Sequence, residues 1–253
     1  MTESIPTFSI ITVTYNAEAT IKATLLSVQQ QTYRHIEHLI IDGASKDNTL
    51  NIINRYKNKN TRVISEKDKG LYDAMNKGIR LATGAYICFL NAGDTFHENN
   101  TLEKIVNEVG LTINEKSPDI LYGQTAIVDA ERHFLRMRHH TAPDVLTWKS
   151  FRQGMLVCHQ AFFVKCILAE PYDLKYKYSS DYDWCIRMMK KADVISNTHL
   201  IMIDYLDEGM TTRHHRSSLI ERLKIMAKHY GWGNAFLMHL WFIIRLPFRK
   251  YCV

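Results

Sequence analysis

The sequence predicts an α/β fold in which a mostly parallel central sheet lies between layers of helices. Three observations lead there. Phe8-Ser9-Ile10-Ile11-Thr12-Val13-Thr14-Tyr15 is rich in β-branched residues and reads as an opening strand. Ala85-Tyr86-Ile87-Cys88-Phe89-Leu90 is apolar at every position and stops at Asn91, the pattern of a strand covered on both faces. Between these two runs, short strand-like and helix-like segments alternate, which implies crossover connections and parallel pairing.

Taken in order, the first strand ends at Asn16, and a helix is expected over 17–31 with Ile21, Leu25, Leu26 and Val28 on its buried stripe. His38-Leu39-Ile40-Ile41 reads as the second strand and runs straight into Asp42 and the small residues Gly43, Ala44 and Ser45. A helix follows over 47–57, a short strand over 63–66, and a helix over 71–83 that turns Ala74, Met75, Ile79 and Ala82 inward. The run at 85–90 then delivers Asn91 and Asp94 to the carboxyl end of a central strand, where open α/β sheets bind ligands. A helix over 95–110 completes this half, and Asp94 as its N-cap is the plain structural account of that carboxylate. Asp47 reads as a cap and Asp42, on the plain account, as a turn former. A buried strand seldom ends in a charge without a partner, which favours a binding role for Asp42.

The second half is less regular. After Asp119-Ile120-Leu121-Tyr122-Gly123 the pattern becomes irregular, and 125–128 with 133–137 suggests a hairpin whose turn is Asp129-Ala130-Glu131-Arg132. His139 and His140 have no third ligand in reach and read as a solvated or phosphate-facing loop rather than a metal site. A further strand, Cys158 to Val164, is entered through polar His159 and Gln160; a hydrogen-bonded structural histidine explains that pair equally well. Residues 179–189 open a helix with Asp181 and Asp183 in its first turn, which Ser179 or Ser180 can cap and the helix dipole favours. These two carboxylates are two residues apart and diverge by roughly 200° on a helix, so they cannot flank one sugar as a glycosidase pair does. Asp183 suits a structural pair with Arg187 one turn on.

From 217 the pattern is helical, with Leu219, Leu223, Met226 and Tyr230 on one face behind a basic cluster, Arg213, His214, His215 and Arg216. The strongly apolar 236–248 is broken by His239 and Arg245 and followed by Arg249 and Lys250, which suits an interfacial helix beside anionic lipid; packing on the body or on a second subunit is the alternative.

Whole-chain properties narrow the classes. At 253 residues the chain can bury a substantial core. Its net charge of +6 admits anionic partners, but no basic stripe interleaved with aromatics points to nucleic acid. Five scattered cysteines without a C-x-x-C argue for reduced thiols and against zinc. The polar start predicts no signal peptide and no window reaches transmembrane length, so a cytoplasmic setting is expected. Neither G-x-G-x-x-G nor G-x-x-x-x-G-K-[ST] follows the first strand, which removes the common dinucleotide-binding and P-loop folds.

Thr14-Tyr15-Asn16, Ile41-Asp42-Gly43-Ala44-Ser45-Lys46-Asp47-Asn48-Thr49, Gly70-Leu71-Tyr72-Asp73-Ala74-Met75-Asn76-Lys77-Gly78 and Leu90-Asn91-Ala92-Gly93-Asp94 occur in the order and spacing of one family. With them the chain resembles glycosyltransferase family 2, in its bacterial branch that builds exopolysaccharide, colanic acid or O-antigen chains. The resemblance covers about 8–210 and implies the GT-A fold, a Rossmann-like α/β/α sandwich over 1–210 with a helical extension over 211–253. Its halves would be a nucleotide-binding part, 1–110, and an acceptor and catalytic part, 111–210. It implies an inverting enzyme that moves a sugar from a UDP, GDP or dTDP donor to a glycan or polyprenyl-diphosphate-linked acceptor, at the cytoplasmic face of the inner membrane if the tail meets lipid.

Carried over residue by residue, Thr14, Tyr15 and Asn16 would line the nucleotide pocket, Asp42 would face the base, and Asp68 and Asp73 would lie beside base and ribose. His159 and Gln160 would stand near the acceptor or diphosphate, and Asp181 would be the general base. Asn91 and Asp94 match the family's acidic D-x-D segment, whose last carboxylate coordinates a divalent cation. Only Asp94 keeps its charge here, so Mn²⁺ or Mg²⁺ is expected to bind mainly through Asp94, water and the diphosphate. Two other classes share features of this pattern. A sugar-nucleotidyltransferase would carry a Gly- and Arg-rich loop where Thr14-Tyr15-Asn16 stands, and a non-catalytic sugar-nucleotide-binding or scaffold subunit would tolerate the weakened acidic segment.

Overall fold

In the computed structural model, which describes residues 5–111, 117–207 and 215–245, the fully buried run Phe8–Thr14 forms β1 at the centre of the first half. Ile36–Asp42 (β2) and Thr61–Ser65 (β3) extend the sheet on one side of β1, and Tyr86–Phe89 (β4) pairs with it on the other. All three pairings are parallel, and helices Ile21–Gln29 (α1), Thr49–Tyr56 (α2) and Leu71–Leu81 (α3) make the connections. Ile21 and Leu25 of α1 and Ile53 of α2 bury against Ile40 on one face. On the other face α3 lies so close that a side chain at Gly78 would collide with Ile11 of β1. Burial at every position of β1, its polar Ser9, Thr12 and Thr14 included, is thus explained by helices on both faces.

The helix expected over 95–110 starts later. Thr95–Phe96 forms a short strand, β5, paired antiparallel with Asp204 and Ile203, and the helix α4 is Thr101–Glu108. Asp94 therefore caps no helix, and the plain account of that residue falls away.

The second half continues the same sheet. Ile120–Val128 (β6) is one strand interrupted by register shifts, and Phe134–Met137 (β7) folds back on it as the expected hairpin. Phe162–Lys165 (β8) runs antiparallel between β4 and β6, after a single 3₁₀ turn, His159–Ala161. Ile195–Leu206 (β9) lies parallel to β6 along most of its length. The sheet order is β3-β2-β1-β4-β8-β6-β9-β5. Phe8 and Phe163 meet edge to face at 5.9 Å, so both halves contribute to one core.

Helix α5, Ser180–Lys191, packs its first turns against helix α6, His215–Tyr230. Asp183 is fully buried and accepts hydrogen bonds from Arg187 Nε (2.8 Å) and Lys228 Nζ (2.9 Å), and its Oδ1 lies 2.8 Å from His229 Nε2. Burial alone would raise its pKa, but these three bonds outweigh burial and hold it well below the usual carboxylate range. The expected structural role of Asp183 is realised, with two partners from α6 besides Arg187. Glu221 of α6 accepts the N–H groups of Lys177, Tyr178 and Ser179, fixing the entry to α5. Met226 and Tyr230 are buried as expected, but Leu219 faces outward. Helix α7, Trp232–Arg245, buries Ala235 and leaves Trp232, Phe236, Leu237 and Leu240 exposed at 59, 60, 67 and 56 %. Arg213, His214, Arg249 and Lys250 lie outside the described residues. Among the described residues no helix is long and apolar enough to cross a membrane.

Candidate active site

The carboxyl ends of β1, β2 and β4 meet at one edge of the sheet. Thr14 ends β1, with the Gly43 N–H bonded to its carbonyl on one side and the Ala92 N–H bonded to the carbonyl of Val13 on the other. The β1 and β2 loops are pinned together. Asn16 adopts a left-handed backbone (φ +48°), its N–H donates to Ser45 Oγ at 2.8 Å, and its Oδ1 accepts the Lys46 N–H at 2.9 Å. Ala44 is also left-handed (φ +62°), a strained conformation that persists only where neighbours hold it, commonly beside ligands.

Asp42 does part of that holding. It is fully buried and accepts from the Ser45 N–H (3.0 Å), Ser45 Oγ (2.5 Å) and Ser65 Oγ (2.6 Å). Its carboxylate fixes the shape of the Gly43–Ser45 turn. Gly43 in turn admits Asp68: a Cβ at Gly43 would lie 2.6 Å from Asp68 Oδ2 and 3.3 Å from the Tyr15 ring. Asp68 Oδ1 accepts the Gly70 N–H (2.8 Å), while Tyr15 is exposed. Asp73 faces back along its own helix and accepts the Lys69 N–H at 2.9 Å. Asp47 accepts the Thr49 N–H two residues on, but Asn48 is the N-cap of α2, so Asp47 closes the turn ahead of the helix instead of capping it as expected.

The Asn91–Asp94 loop is held from α1, where Thr24 Oγ1 accepts the Gly93 N–H and donates to the Asp94 carbonyl. Asp94 is 4 % exposed, and its two carboxylate oxygens accept from Gln160 Nε2 (2.8 Å) and the Leu206 N–H (3.2 Å). Burial raises its pKa to about 6, against the pull of these bonds.

His159, the neighbour of Gln160, lies against the other carboxylate. His159 Nδ1 is 3.4 Å from Asp181 Oδ2, and the Tyr72 hydroxyl donates to Asp181 Oδ1 at 3.0 Å. Burial and the Asp181 charge push the Tyr72 phenol well above its ordinary value, so it remains a donor. Asp181 opposes its own burial with the bond and charge of His159, then the charge of Arg222, and its pKa is lowered.

Several polar atoms at this edge are buried without a hydrogen-bond partner: Thr14 Oγ1, Asn91 Oδ1 and His159 Nε2. Buried polar groups are normally satisfied, so three orphans among the residues singled out from the sequence mark a place for a polar ligand. Among the described residues no three His, Cys, Asp or Glu side chains form a metal cluster.

The family model described as "Glycosyl transferase family 2" matches residues 9–194, from the start of β1 to the end of α5. The chain belongs to glycosyltransferase family 2. A PGL/p-HBAD biosynthesis glycosyltransferase of Mycobacterium bovis is 34 % identical over 211 residues, 81 % of this glycosyltransferase and 78 % of that protein. The amylovoran biosynthesis glycosyltransferase AmsB of Erwinia amylovora is 27 % identical over 77 % of this chain and 70 % of its own. Among solved structures, S. aureus TarS 1–349 in complex with UDP-GlcNAc superposes with a TM-score of 0.65 at 17 % identity, covering 92 % of this chain and 70 % of that one. The mannosyltransferase PcManGT of Pyrobaculum calidifontis, in complex with GDP-Man and Mn²⁺, gives 0.61 at 14 % identity, over 93 and 74 % of the two chains. The likeness to these structures establishes the GT-A-like fold of this glycosyltransferase.

The fold thus gathers Thr14, Asn16, Asp42, Asp68, Asn91, Asp94, His159, Gln160 and Asp181 around one edge of the sheet. Tyr72, Thr24 and the Leu206 N–H complete the arrangement. None of these three carries a local sequence signal, because each acts on a residue at least 69 positions away.

Proposed function

We propose that this glycosyltransferase is inverting and moves a sugar from a nucleoside-diphosphate donor of the UDP, GDP or dTDP type to a hydroxyl of a glycan acceptor. The observation that carries the reading is the His159–Gln160 turn, which holds Asp181 with one side chain and Asp94 with the next. The nucleotide half, 1–110, takes the donor at Thr14, Asn16, Asp68 and Asn91, whose Thr14 Oγ1 and Asn91 Oδ1 await partners. Asp42 and Asp73 act by shaping the loops around the nucleotide, and the exposed Tyr15 ring closes its rim.

Asp181 receives the proton of the acceptor hydroxyl. The hydroxyl oxygen bonds to the anomeric carbon, the bond to the diphosphate breaks on the opposite face, and the electron pair leaves with the nucleoside diphosphate. Tyr72 and His159 keep Asp181 ionised and aimed. The residues at Asp94 suit a hard divalent cation, Mn²⁺ or Mg²⁺: the Asp94 oxygens retain free lone pairs, and Asn91 Oδ1 is an unpaired buried oxygen. When bound, the cation would neutralise charge on the diphosphate.

The names of the curated relatives support a place in cell-surface glycan or polysaccharide synthesis. A polyprenyl-diphosphate-linked acceptor would account for the exposed apolar stripe of α7, which would lie on the cytoplasmic face of a membrane.

Thermal unfolding with UDP, GDP, dTDP or CDP, each with and without Mn²⁺, tests the reading. A ligand at about 100 times its Kd adds roughly 2.7 kcal/mol, and stabilisation by one nucleotide identifies the donor class. Stabilisation by none of them would overturn it.

A further inference from the structure

The turn between β6 and β7 carries Arg132, which lies outside the hydrogen-bonded groups of Asp94 and Asp181. Arg132 has a left-handed backbone (φ +71°), which side-chain-bearing residues adopt at a cost. The turn is firmly closed: the Arg132 N–H donates to the Asp129 carbonyl at 3.1 Å, and Asp129 Oδ1 accepts the His133 N–H at 2.8 Å. The base of the hairpin is attached to Asp94. Val128 lies in register with Leu206, whose N–H bonds Asp94 Oδ1, and the Asp207 N–H donates to the Val128 carbonyl at 3.0 Å. Arg136 ties β7 to Asp207 at 3.1 Å.

This frame brings the Arg132 charge close enough to act on Asp94. The side chain is partly buried and its Nη1 is buried without an acceptor. Among the described residues no carboxylate oxygen lies within 4.0 Å of it, yet its charge acts on Asp94 and Asp204. Asp204 is already engaged by His97 Nδ1 at 2.7 Å. A guanidinium N–H withdrawn from water with nothing to accept it is costly, and its planar fork matches phosphate oxygens.

We propose that Arg132 donates to the diphosphate of the bound sugar nucleotide. The inference rests on the glycosyltransferase reading and adds a residue to it. As the bond from the anomeric carbon to the diphosphate breaks, the electron pair moves onto the diphosphate oxygen and Arg132 meets that charge without gaining or losing a proton. Asn91 has removed one negative charge from this region, and Arg132 adds a positive one, so the anion is held by a fixed cation of the protein's own.

The test is calorimetric titration of the full chain with UDP, GDP, dTDP and the matching monophosphates, each in EDTA and with Mn²⁺, comparing wild type with Arg132→Gly and Arg132→Lys. Glycine relieves the left-handed backbone, so Arg132→Gly holds or raises the melting temperature while weakening the diphosphate at least tenfold and the monophosphate by less than threefold. Arg132→Lys recovers part of the loss. A glycine variant that binds the diphosphate as well as wild type overturns the role of Arg132 and leaves the glycosyltransferase reading intact. Absence of any nucleotide binding by wild type, in EDTA and with Mn²⁺ alike, overturns both.

Discussion

The side-chain amide of Gln160 donates to Asp94 Oδ2 at 2.8 Å, joining residues 66 positions apart in the chain. The next side chain back, His159, faces Asp181. One 3₁₀ turn therefore sets the distance between Asp94 and Asp181, the carboxylates that the proposed reaction assigns to the donor and the acceptor. Its rigidity follows from burial: His159, Gln160 and Ala161 are all buried, and β8 continues directly from them into the middle of the sheet. Such preorganisation is what positioning of reactants demands.

Asp94 links this arrangement to pH. Its pKa is raised to about 6 by burial, from an ordinary value near 3.8. The folded state therefore favours the protonated carboxyl. Stability is greatest below the unfolded value and is lost as pH rises through about 6. Asp94→Asn removes this penalty, so between pH 4 and pH 8 the variant should gain up to about 3 kcal/mol relative to wild type. Denaturant melts at the two pH values check the sign, and the same variant should lose transfer activity.

Gly43 separates the β2 turn from Asp68. In Gly43→Ala the new methyl would force Asp68 Oδ2 from its place 2.6 Å away. Since Asp68 is also held by the Gly70 N–H, the strain should fall on the nucleotide pocket rather than on the core. Nucleotide affinity should drop about tenfold with a stability loss of about 1 kcal/mol, as read by titration and chemical denaturation.

Asn91 supplies a neutral oxygen where a charge would attract a cation. Asn91→Asp places a second carboxylate in the loop of Asp94. Mn²⁺ binding in the presence of nucleoside diphosphate should tighten at least tenfold, as followed by the electron paramagnetic resonance signal of free Mn²⁺. Unchanged Mn²⁺ affinity would show that Asn91 stands apart from the cation.

Much of the first half was legible in the sequence because its strands are covered on both faces, so that β1 reads as a β-branched run and β4 as an unbroken apolar one. The ends of these runs, and of β2 between them, exposed Asn16, Asp42, Asn91 and Asp94 as residues of interest. By contrast, β9 carries Ser196, Asn197, Thr198 and His199 in succession and pairs with β6 through register shifts, so it shows neither alternation nor an apolar run. The helix expected from Thr95 is displaced because Thr95 and Phe96 pair with this same strand, a long-range contact that outweighs the local helix pattern. Asp181 could be placed in a helical first turn, but the Tyr72 and His159 contacts that distinguish it from Asp183 arise only through the fold. Arg132 looked like an ordinary turn residue for the same reason.

The central claim is that Asp181 is the base of a sugar-transfer reaction. The decisive measurement is release of nucleoside diphosphate from a panel of sugar nucleotides by wild type and Asp181→Asn, with nucleotide affinity measured in parallel. Wild type should turn over one donor, and the variant should be slower by about 10²–10⁴-fold with its nucleotide affinity within twofold of wild type. Turnover by Asp181→Asn at the wild-type rate would contradict the account.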